Sequence, residues 1–150
     1  MRRQTIQEIL FNILKTQKFA VIATQDKKSP YLNLVSYVST KNNRNIVFAT
    51  SKKTQKYENI TKKSEIAILI DNRDNTESDI ENAVVINGIG NASEIRRQTD
   101  YYKKLYLKKH PYLTDFVNSE DTIFINIQIK KYIIVTEFEK INTIEFKKND

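Results

Sequence analysis

The chain has 150 residues, 25 Lys and Arg against 18 Asp and Glu, a net charge of +7, 39% hydrophobic residues and no cysteine. That length is expected to form one domain, residues 1–150, with a core that needs no disulfide or structural metal; the missing thiols exclude cysteine nucleophiles and thiolate metal sites and suit a reducing cytoplasm. Two glycines, Gly88 and Gly90, are too few for a dinucleotide fingerprint or a Walker loop, and no apolar run nears the ~20 residues that span a bilayer, so the expectation is a soluble cytoplasmic protein whose cations favour anionic partners.

The chain opens with MRRQTIQEILFNILKTQ, in which Gln7, Glu8 and Asn12 interrupt the apolar run and no small-residue cleavage site follows, so it reads as a mature helix and not a signal peptide. Thr5 and Glu8 form a capping-box pair, and Ile6, Ile9, Leu10, Ile13 and Leu14 recur at helical spacing to about Lys15. FAVIAT then reads as a strand, QDKKSP as a turn and YLNLVSYVS as a second strand with two unlike faces, together a hairpin. TKNNRN is another turn, IVFAT a third strand, TQKYENITKK a helix, EIAILID a fourth strand and NRDNTESDIEN a polar loop. AVVINGIGNASEI is a fifth strand, where Gly88 and Gly90 mark a bulge or a close approach. A helix follows from about Arg97, with Tyr102, Leu105 and Tyr106 at helical spacing, and Pro111 breaks it ahead of YLTDFVNS. TIFINIQIKKYIIVTEF closes the set, alternating at Ile123, Ile125, Ile127 and Ile129. At least six strands, joined by short turns with helices inserted singly, predict a mainly β protein with flanking helices, built as a closed or partly closed antiparallel barrel and not as a parallel α/β sheet.

The stretch FATSKKTQKYENI, Phe48 to Ile60, sets three lysines where a strand gives way to a helix. A helix's first turn presents unpaired N–H groups and the positive end of its dipole, which favour acidic residues, yet Lys52, Lys53 and Lys56 crowd it. Either the lysines are simply solvated, or an anion not encoded in the sequence neutralises them. With Ser51 or Thr54 as the cap, the first N–H groups lie beside two hydroxyls and Lys56, an arrangement suited to a phosphate dianion.

FATSKKTQKYENI, preceded by FAVIATQDKKSPYLNLVSYV and followed by SEIAILIDNR and AVVINGIGNA, resembles the FMN-binding split-barrel family related to pyridoxamine 5′-phosphate oxidase over about Phe19 to Ala92; KKHPYLTDFV is similar to a segment of one small branch of it. The resemblance implies an antiparallel split barrel with FMN at the interface of a homodimer, the flavin phosphate being held by the end of the third strand and the following helix. It implies that Ala49, Thr50 and Ser51 offer groups at that strand end, that Thr54 caps toward the phosphate with Gln55 beside it, and that Lys56 supplies the cation. Asn33, Leu34, Val35, Ser36 and Tyr37 would line the isoalloxazine with backbone groups, and Asn72, in DNR, would stand near the flavin pocket. The oxidases usually carry arginine where this chain has Asn33 and Gln55, and INTIEFKKND ends in a loose segment with Lys147 and Lys148 where those enzymes have a basic C-terminal grip. The expectation is a flavin-dependent oxidoreductase acting on an unidentified small molecule, without useful turnover of pyridoxine or pyridoxamine 5′-phosphate. Its catalytic residues are unassigned.

His110 is the single histidine, so neither a multi-histidine metal site nor a Ser-His-Asp triad with a spare histidine can form; directly before Pro111 it is expected to shape a helix junction, with proton donation as the alternative. The carboxylates show no paired spacing, and no metal is expected. DNR also reads as a turn with Asx hydrogen bonds. RRQTDYYKKLYLKKHPY interleaves cations and aromatics as single-strand binders do, but Tyr102, Leu105 and Tyr106 equally fit a helix face packed on a barrel with its lysines in solvent. Two readings stand beside the FMN oxidoreductase: a flavin or haem binder without turnover, and a basic nucleic-acid-binding module.

Overall fold

In the computed structural model, which describes residues 2–147, the capping box forms as its two residues dictate. Thr5 accepts from the Glu8 N–H at 3.1 Å and the Glu8 carboxylate accepts from the Thr5 N–H at 3.0 Å, starting α1 (Ile6–Thr16). The helix buries Leu10, Ile13 and Leu14, the stripe set by its 3.6-residue period.

Strands β1 (Phe19–Asp26) and β2 (Ser29–Ser39) make the expected hairpin, tighter than QDKKSP implied: Asp26 pairs with Ser29 and only Lys27 and Lys28 turn, with Lys27 at φ 47°. Next come β3 (Asn45–Ser51), α2 (Gln55–Lys62) and β4 (Glu65–Asp71). The polar loop that follows holds one short helix, α3 (Asp79–Asn82), and leads to β5 (Val85–Glu94). After α4 (Thr99–Lys109), a 3-10 turn (Pro111–Leu113) and α5 (Thr114–Val117) fill the segment after Pro111. The long β6 (Thr122–Thr136) does not close the chain: it turns at Glu137–Glu139 into β7 (Lys140–Glu145), so INTIE is strand, and the Lys147 carbonyl accepts from Arg44 at 3.2 Å. Lys148 lies outside the described residues.

All neighbouring strands are antiparallel, in the order β3-β2-β1-β4-β5-β6-β7, and a β3–β6 pairing closes the first six into a barrel with β7 appended at its edge. Inside lie Ile22, Phe48, Ile68, Ile86, Ile125 and Ile127, with α1 contributing Leu14 and α2 contributing Ile60. A second, outer cluster forms where Tyr106 of α4 covers Val38, Val47, Ala49 and Phe124. This is why IVFAT reads as an unbroken apolar run: one face of β3 meets the barrel interior and the other meets α4.

Both glycines do what their position on β5 suggested. Gly90 pairs with Ile129 and Ile89 with Lys131, leaving Lys130 unpaired as a bulge. The inward set on β6 shifts accordingly from Ile125, Ile127 and Ile129 to Tyr132 and Ile134. A Cβ on Gly90 would stand 2.2 Å from the Gln128 carbonyl oxygen, so no larger residue fits without moving the backbone.

Candidate functional site

The barrel has a cleft, and its origin lies in strand pairing. β2 pairs with β3 only at Tyr37–Phe48, Val38–Val47 and Ser39–Ile46. Beyond these three pairs the strands part: Asn33 to Ser36 stay with β1, while Ala49, Thr50 and Ser51 pair with Phe124, Ile123 and Thr122 of β6. The edge of β2 and the end of β3 thus face one cleft, closed at its apex by Tyr106, whose hydroxyl donates to the Ser36 carbonyl at 3.3 Å. The Ala49 backbone lies beside that hydroxyl, and burial pushes its pKa up to about 12, so it stays protonated.

At the mouth of the cleft the chain enters α2. Thr54, not Ser51, is the cap: its Oγ1 accepts from the Tyr57 N–H at 3.3 Å and donates to the Ser51 carbonyl at 2.9 Å. Ser51 Oγ accepts from the Lys53 N–H at 3.2 Å. Thr50 is buried, with its Oγ1 3.1 Å from Thr54 Oγ1, and it accepts from Lys56 Nζ at 3.0 Å.

The three lysines have three different fates. Lys53 reaches Asp121 at 3.0 Å on the surface, and Lys52 is exposed. Lys56 is partly buried, its pKa is lowered by desolvation, and it meets no carboxylate within ion-pair distance among the described residues. A partly desolvated ammonium held only by a hydroxyl, on the first turn of a helix, is electrostatically unbalanced and suits an anion with several acceptor oxygens.

Gln55 and Asn33 stand differently. Gln55 Nε2 donates to Asn59 Oδ1 at 2.8 Å, and buried Asn59 Nδ2 donates to Thr24 Oγ1 at 3.0 Å, a relay that runs inward from the surface and ties α2 to β1. No sequence signal marks Asn59 and Thr24, because a buried amide–hydroxyl pair has no spacing signature. Asn33 sits opposite Ile22, and its Oδ1 is buried without a hydrogen-bond partner, one of the few such atoms among the described residues. Tyr57 anchors the helix from the other side, donating to Glu94 at 2.9 Å. Asn72 is not gathered here: it lies beyond the far end of β4 from α2, where its Oδ1 accepts from the Val84 N–H at 2.7 Å.

α4 holds β2 from behind. His110 is fully buried; its Nε2 donates to the Tyr37 carbonyl at 2.6 Å and its Nδ1 lies 3.2 Å from the Tyr112 hydroxyl, so both ring nitrogens are engaged. Lys109 Nζ sits 4.0 Å over the Tyr37 ring and donates to the Leu14 carbonyl at 3.0 Å, next to the Tyr37 hydroxyl, which donates to the same oxygen. Burial lowers the Lys109 pKa to about 8.

The outer face of the barrel beside the cleft is apolar. Leu32 and Leu34 of β2 are 66% and 68% exposed. Register sets Leu34 beside Val21 and Leu69 in one row, and Leu32 beside Ala23, Ala67 and Ile89 in the next. Among the described residues no cluster of His, Cys, Asp and Glu could hold a metal, and no helix is long and apolar enough to cross a membrane.

Comparison with known proteins places the fold. The family model described as pyridoxamine 5′-phosphate oxidase matches residues 6–135. Among solved structures, a haem-binding protein from Mycobacterium smegmatis is similar with a TM-score of 0.84 at 12% identity, over 97% of this chain and 60% of that one. The chain therefore spans about three fifths of that protein. General Stress Protein 26 from Bacillus anthracis is similar at 0.75 and 14% identity, over 95% of this chain and 100% of that one. A FAD-binding protein from Mesorhizobium loti is similar at 0.69 and 12% identity, over 89% and 95%. At these identities the likeness is one of fold. No curated protein matches the chain in sequence.

Proposed function

The chain belongs to the pyridoxamine 5′-phosphate oxidase family, and on that premise we propose that it binds FMN where β3 enters α2, pairs with a second copy of itself, and serves in the cytoplasm as an oxidoreductase for an uncharged or weakly charged small molecule. The observation that carries the reading is Lys56, a partly buried ammonium whose hydrogen-bond partner is the Thr50 hydroxyl and which, among the described residues, has no carboxylate within ion-pair distance to balance it. The residues present fit a flavin phosphate: Lys56 supplies the charge, the first N–H groups of α2 the dipole, and the Thr50 and Ser51 hydroxyls further hydrogen bonds. The orphaned Asn33 Oδ1 and the unpaired edge of β2 from Asn33 to Ser36 offer groups to a ring lying in the cleft.

Bound flavin would supply electron exchange with the substrate; the chain binds, orients and shields. Tyr106, neutral at any physiological pH, keeps the apex of the cleft closed, while His110 and Lys109 hold Tyr37 and with it the end of the ring-lining strand. The apolar rows around Leu32 and Leu34 suit burial against a second subunit, since exposed apolar surface of this kind marks interaction sites. The names of similar proteins include a haem binder, but His110, the single histidine of the chain, has both nitrogens committed within the protein, so an axial imidazole is not on offer. The test is an absorption spectrum of the purified chain and of the apo chain after FMN addition. Flavin bands that stay with the protein through gel filtration support the reading; FMN that separates from it in both preparations refutes it.

A further inference from the structure

A cavity of about 680 Å³ opens on the other side of the molecule from α2, between α1, the start of β5 and the β6–β7 hairpin. Its floor is apolar, made by Ile6, Ile9, Ile13 and Val84. Its walls are rich in carboxamides: Gln4, Asn12, Asn72, Asn82 and Asn142. Of these only the Asn72 side chain is used by the fold, through Val84; the others make no side-chain hydrogen bond among the described residues. The charges cancel, Arg3 and Lys140 against Glu81 and Glu137, with Arg3 bonded to Glu137 at 3.3 Å. One wall extends into a lip, where Ile80 and Phe138 face a shallower hollow that shares Glu81, Asn82 and Glu137 with the cavity. Phe138 is 62% exposed and sits with Glu137 in the left-handed backbone region, at φ 71° and 48°. A bulky aromatic is strained there, and Phe138 buries little of its ring in this chain to offset that strain.

We propose that this cavity is a second binding site, for an uncharged molecule that has an apolar face and an edge of alternating hydrogen-bond donors and acceptors, such as a nucleobase-like heterocycle. Each carboxamide presents one donor group and one acceptor side by side, the combination by which Asn and Gln read the edge of a base. The isoleucine floor accepts the flat face. A phosphate finds no surplus cation, because Arg3 and Lys140 are each offset by a glutamate at the same walls. The volume lies within the range of small-molecule sites.

The experiment loads the full chain with saturating FMN and follows the side-chain amide NMR signals of Asn12 and Asn142 while thymidine, and separately thymidine 5′-phosphate, is added. Thymidine is expected to shift both signals in a saturable way, at least threefold more tightly than its phosphate. Asn142→Leu, and independently Asn12→Leu, should weaken thymidine at least threefold while leaving FMN affinity unchanged. No shift with millimolar thymidine overturns the proposal, as does equal or tighter binding of the phosphate, or indifference of both variants. If FMN itself saturates the two signals and excludes thymidine, the cavity is part of the flavin site and the proposal of a separate site fails.

Discussion

Lys56 Nζ lies 3.0 Å from Thr50 Oγ1, and this contact joins the end of a barrel strand to the first turn of a helix. A lysine there opposes the helix dipole and loses part of its hydration, two costs that the Thr50 hydroxyl alone does not offset. An anion would offset both.

Lys56→Ala is therefore expected to weaken FMN binding by about tenfold to a hundredfold, the equivalent of a charge-assisted hydrogen bond worth about 1.5–3 kcal/mol. Stability of the flavin-free chain should hold or rise, because the substitution removes a cation from the positive end of α2. Titration calorimetry and urea unfolding of both chains measure the two effects. A loss of FMN affinity accompanied by an equal loss of apo stability would make Lys56 a structural residue.

Leu34→Glu should convert a dimer to a monomer. Leu34 is 68% exposed and lies in the row with Val21 and Leu69, so the change removes apolar area from the proposed subunit contact while touching little of the barrel interior. Light scattering should report half the mass, with unfolding free energy of the monomer within about 0.5 kcal/mol of that of other surface variants. A variant that remains dimeric would place the subunit contact elsewhere.

The two glycines of β5 should differ. Gly90→Ala drives a methyl to 2.2 Å from the Gln128 carbonyl oxygen, a backbone atom on a paired strand, and is expected to cost about 2–4 kcal/mol. Gly88→Ala meets the buried Ile68 side chain at 2.8 Å, a clash with a side chain and not with backbone, and should cost less, about 1–3 kcal/mol. Denaturant midpoints of the two variants, compared at equal slope, check the order.

Lys109 gives a pH signature. Its folded pKa, lowered by burial to about 8, lies below the ordinary lysine value of 10.5, so between pH 8 and 10.5 the unfolded chain binds more protons than the folded one. Unfolding free energy should rise with pH across that window, and the burial cost of the cation is fully present below it. Lys109 is only partly buried, and solvent screening holds the expected gain below the roughly 3 kcal/mol that a shift of this size would carry in full. Lys109→Met should flatten the profile between pH 8 and 10.5; parallel profiles for the two chains would contradict the assignment.

Much of this architecture is legible in the residues. The Thr5–Glu8 pair, the β1–β2 hairpin, the isoleucine alternation on β6 and the two glycines each carry a local rule that tertiary packing then obeys. β7 is not legible, because it is an edge strand with alternate residues exposed and the turn before it carries Glu137 and Phe138 at positive φ, where glycine or asparagine would have marked a hairpin. The cleft shows a similar division. Thr54, Lys56 and Ser51 announce themselves by spacing at a helix start, whereas the parting of β2 from β3 after Tyr37 and the relay from Gln55 through Asn59 to Thr24 depend on register between distant segments. The resemblance sets Asn72 near the flavin pocket, whereas its side chain bonds Val84 beyond the far end of β4 from α2, because the direction of each strand around the barrel decides which end a residue joins.

The central claim is that the cradle at Thr50, Thr54 and Lys56 holds the phosphate of a flavin, and the direct measurement compares FMN with riboflavin, which share the ring and differ by that phosphate. Fluorescence quenching titrations of the flavin-free chain with each should show FMN bound at least tenfold more tightly, about 1.4 kcal/mol or more, with the difference shrinking in Lys56→Ala. Equal affinity of FMN and riboflavin for the wild-type chain would contradict the account.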